Sequence, residues 1–153
     1  MKKLVMAAVL ACAFAAAAAP AKQKANGERE TRIWLPIGLS IIAPPMQLPS
    51  PGHTVFGAML NLGYGQMENV AILDVGIVNN VTGSMTGLEL GGVNIAGDCF
   101  GVQAGAVNVA SKTVGLQLGA VNFTGDLHGV QLGLLNMSSS GGAWIFPIFN
   151  LGF

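Results

Sequence analysis

Cysteine, charge and aromatic residues are all scarce in this chain of 153 residues. Its two cysteines are Cys12 and Cys99. Because Cys12 lies in a segment typical of a signal peptide, the mature chain is expected to keep one cysteine, which excludes an internal disulfide and a cysteine-based metal site. Lys112 is the only Lys or Arg after residue 33. Nucleic-acid binding needs clustered basic residues, so that class of function is excluded.

The N-terminal segment predicts export. Lys2 and Lys3 precede an apolar run and then small residues, so we interpret residues 1–21 as a signal peptide, cleaved after Ala21 or Ala18. The sequence Val-Leu-Ala-Cys ending at Cys12 loosely resembles a lipobox, which leaves a lipid-anchored protein as an alternative. Residues 22–32 are polar and without apolar periodicity, as in a flexible linker. Residues 33–153 then form one domain.

A tandem 14-residue repeat fills the second half of this domain. Four units follow one another at 87–100, 101–114, 115–128 and 129–142, and share the pattern G-x-(Q/E)-x-G-x-x-N. A degenerate copy at 70–80 is one residue out of step. Fixed-period repetition indicates copies of one supersecondary unit, each burying its apolar surface against its neighbours. Helix is not expected, because the frequent glycines each cost about 1 kcal/mol in a helix.

The fold class is therefore all-β, in one of two architectures. The first is a small up-and-down antiparallel β-barrel or meander of about eight strands, at 34–42, 54–62, 70–79, four starting near 86, 100, 114 and 128, and 143–153. We expect this barrel, because the turn segments suit hairpins and apolar residues alternate up to the C-terminal Phe153, as in outer-membrane barrels. The alternative is a parallel β-solenoid, in which each unit forms one coil and equivalent Gln and Asn residues stack.

Within a unit the side chains alternate between two sides. Positions 2, 4 and 6 are apolar, and positions 1, 3 and 5 are small or polar, as a strand with two different faces requires. In a solenoid, the flat Gln/Asn side is expected to be the contact surface. The repeat glycines Gly105, Gly119 and Gly133 are expected where the neighbouring backbone leaves no room for bulk.

The motif GLQLGAVN, together with LPIGLSIIAPP and WIFPIFN, resembles a family of bacterial surface-repeat proteins with tandem G-x-Q-x-G-x-x-N units. The resemblance covers Leu35 to Phe153. It implies an exported, surface-associated protein and no catalytic activity.

Few residues are candidates for chemistry. His53 and His128 are the only histidines, and both are expected in loops or at strand ends. Asp98 and Asp126 occupy matching Gly-Asp turns, for which weak calcium ligation is the alternative to simple turn formation. No nucleophile motif or phosphate-binding loop is present in the sequence. We therefore predict no enzyme, and assign no catalytic, cofactor-binding or metal-binding residue.

The predicted function is that of a non-enzymatic outer-membrane or cell-surface protein with a structural or interaction role. Its expected partners are outer-membrane lipid and the barrel assembly machinery, and its ligand is unknown. The alternative is a secreted or lipid-anchored solenoid that acts as a binding module.

Overall fold

The protein is described here by a computed structural model at residues 36–42, 46–49, 53–139 and 145–153. The predicted signal peptide and linker, residues 1–32, lie outside the described residues. The described part of the chain is built of six strands and contains no helix long and apolar enough to cross a membrane. The strands are β1 (Ile37–Ile42), β2 (Met46–Leu48), β3 (Thr54–Met67), β4 (Asn69–Leu118), β5 (Val121–Ser138) and β6 (Phe146–Gly152).

The long strands wind into a parallel β-solenoid of about six turns. β3 pairs in parallel with β4, and β4 with β5. In the second of these pairings Asn108 lies opposite Asn122 and Gln117 opposite Gln131, which is an offset of one repeat. Each 14-residue unit is therefore one coil. The all-β class and the solenoid alternative are confirmed, whereas the antiparallel barrel that we expected is wrong.

The barrel prediction failed because it took each unit as one strand followed by a hairpin turn. The backbone instead bends without reversing, for example at residues 119 and 120, and continues into the next side of the coil. The strands expected near 86, 100, 114 and 128 are successive turns of the continuous strands β4 and β5. Stacked coils satisfy backbone groups along the whole unit, and they bring identical side chains into register.

Positions within a coil are numbered here as columns, with Gly87 in column 1 and Phe100 in column 14. Columns 1–5 form the front face and columns 7–10 the back face. The two faces meet at a bend in columns 5 and 6 and are separated on the other side by a bend in columns 11 and 12. The coils before Gly87 are longer by a single residue. Gly57 pairs with Ile72, and a Cβ on Gly87 would meet the backbone of Ile72, so these three column-1 residues are stacked although one more residue separates them than in the later coils.

The interior of the solenoid is narrow and largely polar. Columns 3, 8, 10 and 13 point inward in the regular units, and they carry Gln or Glu, Asn, a small residue, and Cys, Thr or Leu, respectively. Larger apolar side chains are concentrated in the first coils, at Val55, Met59, Met67, Val70, Val81 and Met85, and Leu127 is buried in a later coil. The apolar columns 2, 4 and 6 point outward. This is the reverse of a usual globular protein, in which apolar side chains fill the interior.

Both ends of the front sheet are covered by an antiparallel strand. At the N-terminal end β2 pairs with β1, and at the C-terminal end β6 pairs with the last coil. Asn150 of β6 lies opposite Gln131, so Phe149 and Leu151 point outward beside Leu132 and Val130. Pro147 lies within β6 and Pro49 directly follows β2. Short edge strands with proline discourage the addition of further strands.

Column 1 has a positive φ in every coil. The angle is 152° at Gly57, 120° at Gly87, 143° at Gly101, 139° at Gly115 and 151° at Gly129. In the second coil the same column holds Ile72, with φ of 94°. Glycine adopts such angles freely, whereas a β-branched residue there is strained.

Ile72→Gly is therefore expected to stabilise the protein by about 1 kcal/mol, because strain at a positive φ of a non-glycine residue costs about 1–3 kcal/mol and glycine loses about 0.5–1 kcal/mol of chain entropy. Ile72 is 57% exposed, so little burial is lost. Denaturant unfolding measures the change. Ala71→Gly, one residue earlier and at an ordinary φ, is the control and should destabilise. An Ile72→Gly variant as unstable as Ala71→Gly would contradict the assignment of strain.

Candidate functional site

A ladder of glutamines runs along the interior in column 3. Gln131 Nε2 donates to Gln117 Oε1 at 2.7 Å, and Gln117 Nε2 donates to Gln103 Oε1 at 2.7 Å. Asn150 Nδ2 of the closing strand donates to Gln131 Oε1 at 2.9 Å. All three glutamines are fully buried. Every amide in the ladder thus donates towards the N-terminal end of the solenoid.

A second ladder, of asparagines, occupies column 8. Each Nδ2 donates to the Oδ1 of the next coil at 2.8–2.9 Å, from Asn79 through Asn94, Asn108 and Asn122 to Asn136. Each of the four donors also bonds a front-face carbonyl, as Asn108 does with the oxygen of Leu118 at 2.8 Å. The asparagines therefore tie the two faces together at the bend. Their donors point towards the C-terminal end, opposite to those of the glutamine ladder.

The glycines of column 5 make room for the asparagine ladder. A Cβ on Gly119 would lie 2.5 Å from the carbonyl oxygen of Gly105, 2.7 Å from Asn108 Nδ2 and 3.0 Å from Asn122 Oδ1. Real Cβ atoms essentially never approach other atoms within 3.0 Å. Gly105 and Gly133 have the same kind of neighbours. The prediction that these three glycines lie where no side chain fits is consistent with this geometry.

The glutamine ladder ends on two buried carboxyl groups. In column 3, Glu89 Oε2 accepts a bond of 2.7 Å from Gln103, and in the preceding coil Asp74 Oδ1 accepts one of 2.6 Å from Asn61. Burial raises the pKa of Glu89 to about 8; the bond from Gln103 opposes this and the charge of Asp74 adds to it. Burial likewise raises the pKa of Asp74 to about 7, against the bond from Asn61.

Glu89 Oε1 has no hydrogen-bond partner in the described part of the chain. Since Oε2 already accepts from Gln103, a proton on this carboxyl group is best placed on Oε1. The pair Asp74 and Glu89 is sealed inside the coils, so its chemistry is that of a buried acid pair rather than of a site that meets a substrate. Neither residue was predicted from the sequence as part of a site.

Cys99 lies in column 13 of the same coil as Glu89. Its side chain is buried and unoxidised. Burial, with the charge of Glu89 adding to it, raises the pKa of the Cys99 thiol to about 12. A thiol with such a pKa carries almost no thiolate at neutral pH, and is a packing residue rather than a nucleophile.

Charged side chains on the outside of the described coils are confined to the bend of columns 11 and 12, which we call the charged corner. It comprises Glu68, Asp98, Lys112 and Asp126. Lys112 Nζ lies 3.8 Å from Asp126 Oδ2, and His128 Nδ1 lies 3.6 Å from the same oxygen. His53 lies at the same corner, where its carbonyl oxygen accepts from the backbone of Glu68 at 3.1 Å.

The residues considered for chemistry do not assemble into a site. Asp98 and Asp126 lie at the bend, as expected for turn residues. Within the described residues, no group of three or more His, Cys, Asp or Glu side chains could hold a metal ion. Exposed pairs such as Lys112 and Asp126 contribute about 0–1 kcal/mol to stability. The ion pairs of the charged corner therefore add little to the stability of the coils.

The outer surface of the front face is apolar. That of the back face is apolar from the coil of Gly87 onward, whereas the two earlier coils carry Tyr64, Gln66 and Asn80 there. On the front face, columns 2 and 4 carry only Leu, Val, Ile and Ala from β1 through the last coil, and the back face carries mostly Val and Leu in column 7. At the bend between the faces, column 6 forms an apolar ridge, consisting of Leu62, Ile77, Gly92, Ala106, Ala120 and Leu134. Leu62, Ile77 and Leu134 are 54%, 62% and 74% exposed. Contiguous exposed apolar surface is typical of surfaces that contact another protein or a membrane.

The expected contact surface of a solenoid was the Gln/Asn side, and that expectation is wrong. Gln103, Gln117 and Gln131 are 0% exposed, as are the asparagines of column 8. The reason is geometric. A coil of this length is too narrow for two rows of leucines, whereas stacked amides fill the space and satisfy one another's hydrogen bonds.

Comparison with protein-family models, curated proteins and solved structures finds no match. The tandem-repeat character of the chain is shown by the stacked coils themselves. No family match supports the resemblance to surface-repeat proteins, which depends on the three sequence motifs alone.

Proposed function

We propose that this chain is a non-enzymatic outer-membrane or cell-surface repeat protein whose solenoid has a structural or interaction role. The β-solenoid repeat fold is compatible with a structural or binding module. The observation that carries the proposal is the apolar outer surface, which extends over the front face, the ridge and the back face from the coil of Gly87 onward. The amides that could recognise a polar ligand are instead bonded to one another in the interior.

The proposed partner is outer-membrane lipid. The barrel assembly machinery was expected because the last strand of a barrel must dock before it closes on the first. In the solenoid, β6 caps the last coil and pairs with β5. We therefore propose outer-membrane lipid, and not the assembly machinery, as the partner.

Cell fractionation tests this function. The protein is expected in the outer-membrane fraction, resistant to high salt and released by detergent, because apolar contacts do not weaken with ionic strength. The Cys12→Ser variant separates the two export hypotheses. It should stay with the membrane if the solenoid surface holds it there, and it should be released if a lipid on Cys12 is the anchor. Extraction of the unchanged protein into aqueous buffer without detergent would contradict the proposal.

A further inference from the structure

We propose that the solenoid inserts its apolar ridge into one leaflet of a phospholipid bilayer, with the charged corner in water. This rests on the proposed function only in that the protein acts through its apolar exterior; it does not depend on export.

Charge is distributed unevenly around the coil. Every exposed Asp, Glu or Lys side chain of the described coils lies at the charged corner, on the side opposite the ridge. The two other carboxyl groups, Asp74 and Glu89, are buried. A charge inside the bilayer is costly. The charged corner therefore fixes one side of the solenoid in water and leaves the ridge as the side that can enter hydrocarbon.

The apolar surface continues from the ridge onto both faces. The front face carries apolar columns throughout, and the back face carries them from the coil of Gly87 onward. A second copy that packs flat against one face would leave the other face in water. A leaflet surrounds the ridge and covers both faces at once. Lipid therefore fits the surface better than a flat protein partner does.

The width of a face matches the thickness of one leaflet. A face of five residues at about 3.3 Å per residue is about 17 Å wide. The hydrocarbon core of a bilayer is about 30 Å thick, so one leaflet provides about 15 Å. The solenoid can thus reach the middle of the bilayer while the charged corner stays at the headgroups.

The backbone is compatible with this placement. Inner coils pair with a coil on either side, and β2 and β6 cover the two ends of the front sheet. In the described residues, free backbone groups lie at the outer edges of β2 and β6 and at the ends of the back face, which β6 does not cover. β2 has three residues, and β6 contains Pro147, which has no N–H group. Few donors of the front sheet therefore remain without a partner in the apolar medium.

The experiment uses an environment-sensitive fluorophore attached to single cysteines in the full-length chain. Cys12 is replaced by Ser, and Cys99 is retained because its buried thiol reacts poorly. Ala106→Cys places the label on the ridge, and Ser111→Cys places it at the charged corner of the same coil; both positions are exposed. Vesicles of phosphatidylcholine are added, and binding is measured by flotation.

With vesicles, we expect a strong blue shift of the label at position 106 and little change at position 111. A second variant, Leu62→Gln/Ile77→Gln/Leu134→Gln, should lower the floating fraction at least tenfold. The control Phe100→Gln/Val114→Gln, in column 14 beside the charged corner, should lower it much less. Circular dichroism confirms that both variants keep their β structure.

Three outcomes would overturn the proposal. Flotation with both labels still in water would mean that another segment binds the vesicles. A label at position 106 that is already blue-shifted without vesicles, and unchanged with them, would mean that a second copy covers the ridge. Absence of flotation would reject lipid as the partner, yet it would leave a surface location, tested by fractionation, untouched.

Discussion

Glu89→Gln is expected to stabilise the protein at alkaline pH and to remove a large part of the pH dependence of its stability. Column 3 holds glutamine in the next three coils, so the variant extends the ladder by one amide. The introduced amide can accept from Gln103 as Glu89 does, and its own Nε2 can donate towards Asp74. The variant thereby replaces a buried acid with a neutral group of the same shape.

The sign of the pH effect follows from the raised pKa values. In the folded protein the pKa of Glu89 is about 8 and that of Asp74 about 7, against ordinary values of 4.5 and 3.8. Between the ordinary and the raised values the folded state binds more protons than the unfolded state, so the free energy of unfolding falls as pH rises. The loss begins near pH 4 and is complete above pH 8.

The magnitude is a few kcal/mol, because each pKa unit corresponds to about 1.4 kcal/mol. Denaturant unfolding at pH 4.5, 6, 7.5 and 9 measures it. Wild type and Glu89→Gln should be similarly stable at pH 4.5 and diverge steadily up to pH 9. Asp98→Asn, which removes one carboxylate at the charged corner, is the matched control and should keep the wild-type slope. A Glu89→Gln variant with that same slope would show that the buried carboxyl groups are not its source.

The repeat sequence was sufficient to predict that each unit forms one coil or one strand with its turn, and it included the stacked Gln and Asn ladders as one alternative. It did not decide between the barrel and the solenoid, because both bury alternate residues of a strand. The bend at columns 5 and 6 decides it in the structure. The columns of small and polar residues are the signal for that bend, since Gly105, Gly119 and Gly133 fit only where carbonyl and amide groups crowd the backbone.

For the solenoid alternative, the expectation that the Gln/Asn side faces outward was wrong. Alternation shows that two sides differ but not which one is buried, and apolar residues are usually inside. A useful signal lay in the variation among the repeats. Column 8 is asparagine in all four units, whereas column 9 changes from Ile to Val, Phe and Met. An interior ladder requires the same side chain in each coil, while an outer surface tolerates changes of volume.

Two features could not be predicted from the repeat. Ile72 occupies a glycine column, and its strain appears only in the backbone angle. The charged corner is formed by residues from four coils, at positions 68, 98, 112 and 126. These positions come together only once the length of each coil is known, including the extra residue of the coils before Gly87.

Gly119→Leu is expected to prevent folding, whereas Ala120→Leu in the next column should change the free energy of unfolding by less than about 0.5 kcal/mol. At Gly119 even a Cβ lies 2.5 Å from the oxygen of Gly105 and 2.7 Å from Asn108 Nδ2. A leucine there has to displace the asparagine ladder of two coils, and each broken rung leaves a buried amide without a partner. At Ala120 the side chain points outward onto the ridge, where the next coil already carries Leu134.

Gly119→Ala keeps this comparison measurable if the leucine variant does not fold. Overpacking by a single methyl group costs about 1–3 kcal/mol, which leaves a folded protein whose denaturant midpoint can be determined. The order of stability should be wild type close to Ala120→Leu, then Gly119→Ala, then Gly119→Leu. If Ala120→Leu were the more destabilising variant, or if both positions tolerated leucine equally, the asparagine ladder would have to lie on the outside. The amides point into the coil and the ridge side chains point out of it. If the amides were outside, the ridge would be buried, and the basis for an apolar contact surface would be lost.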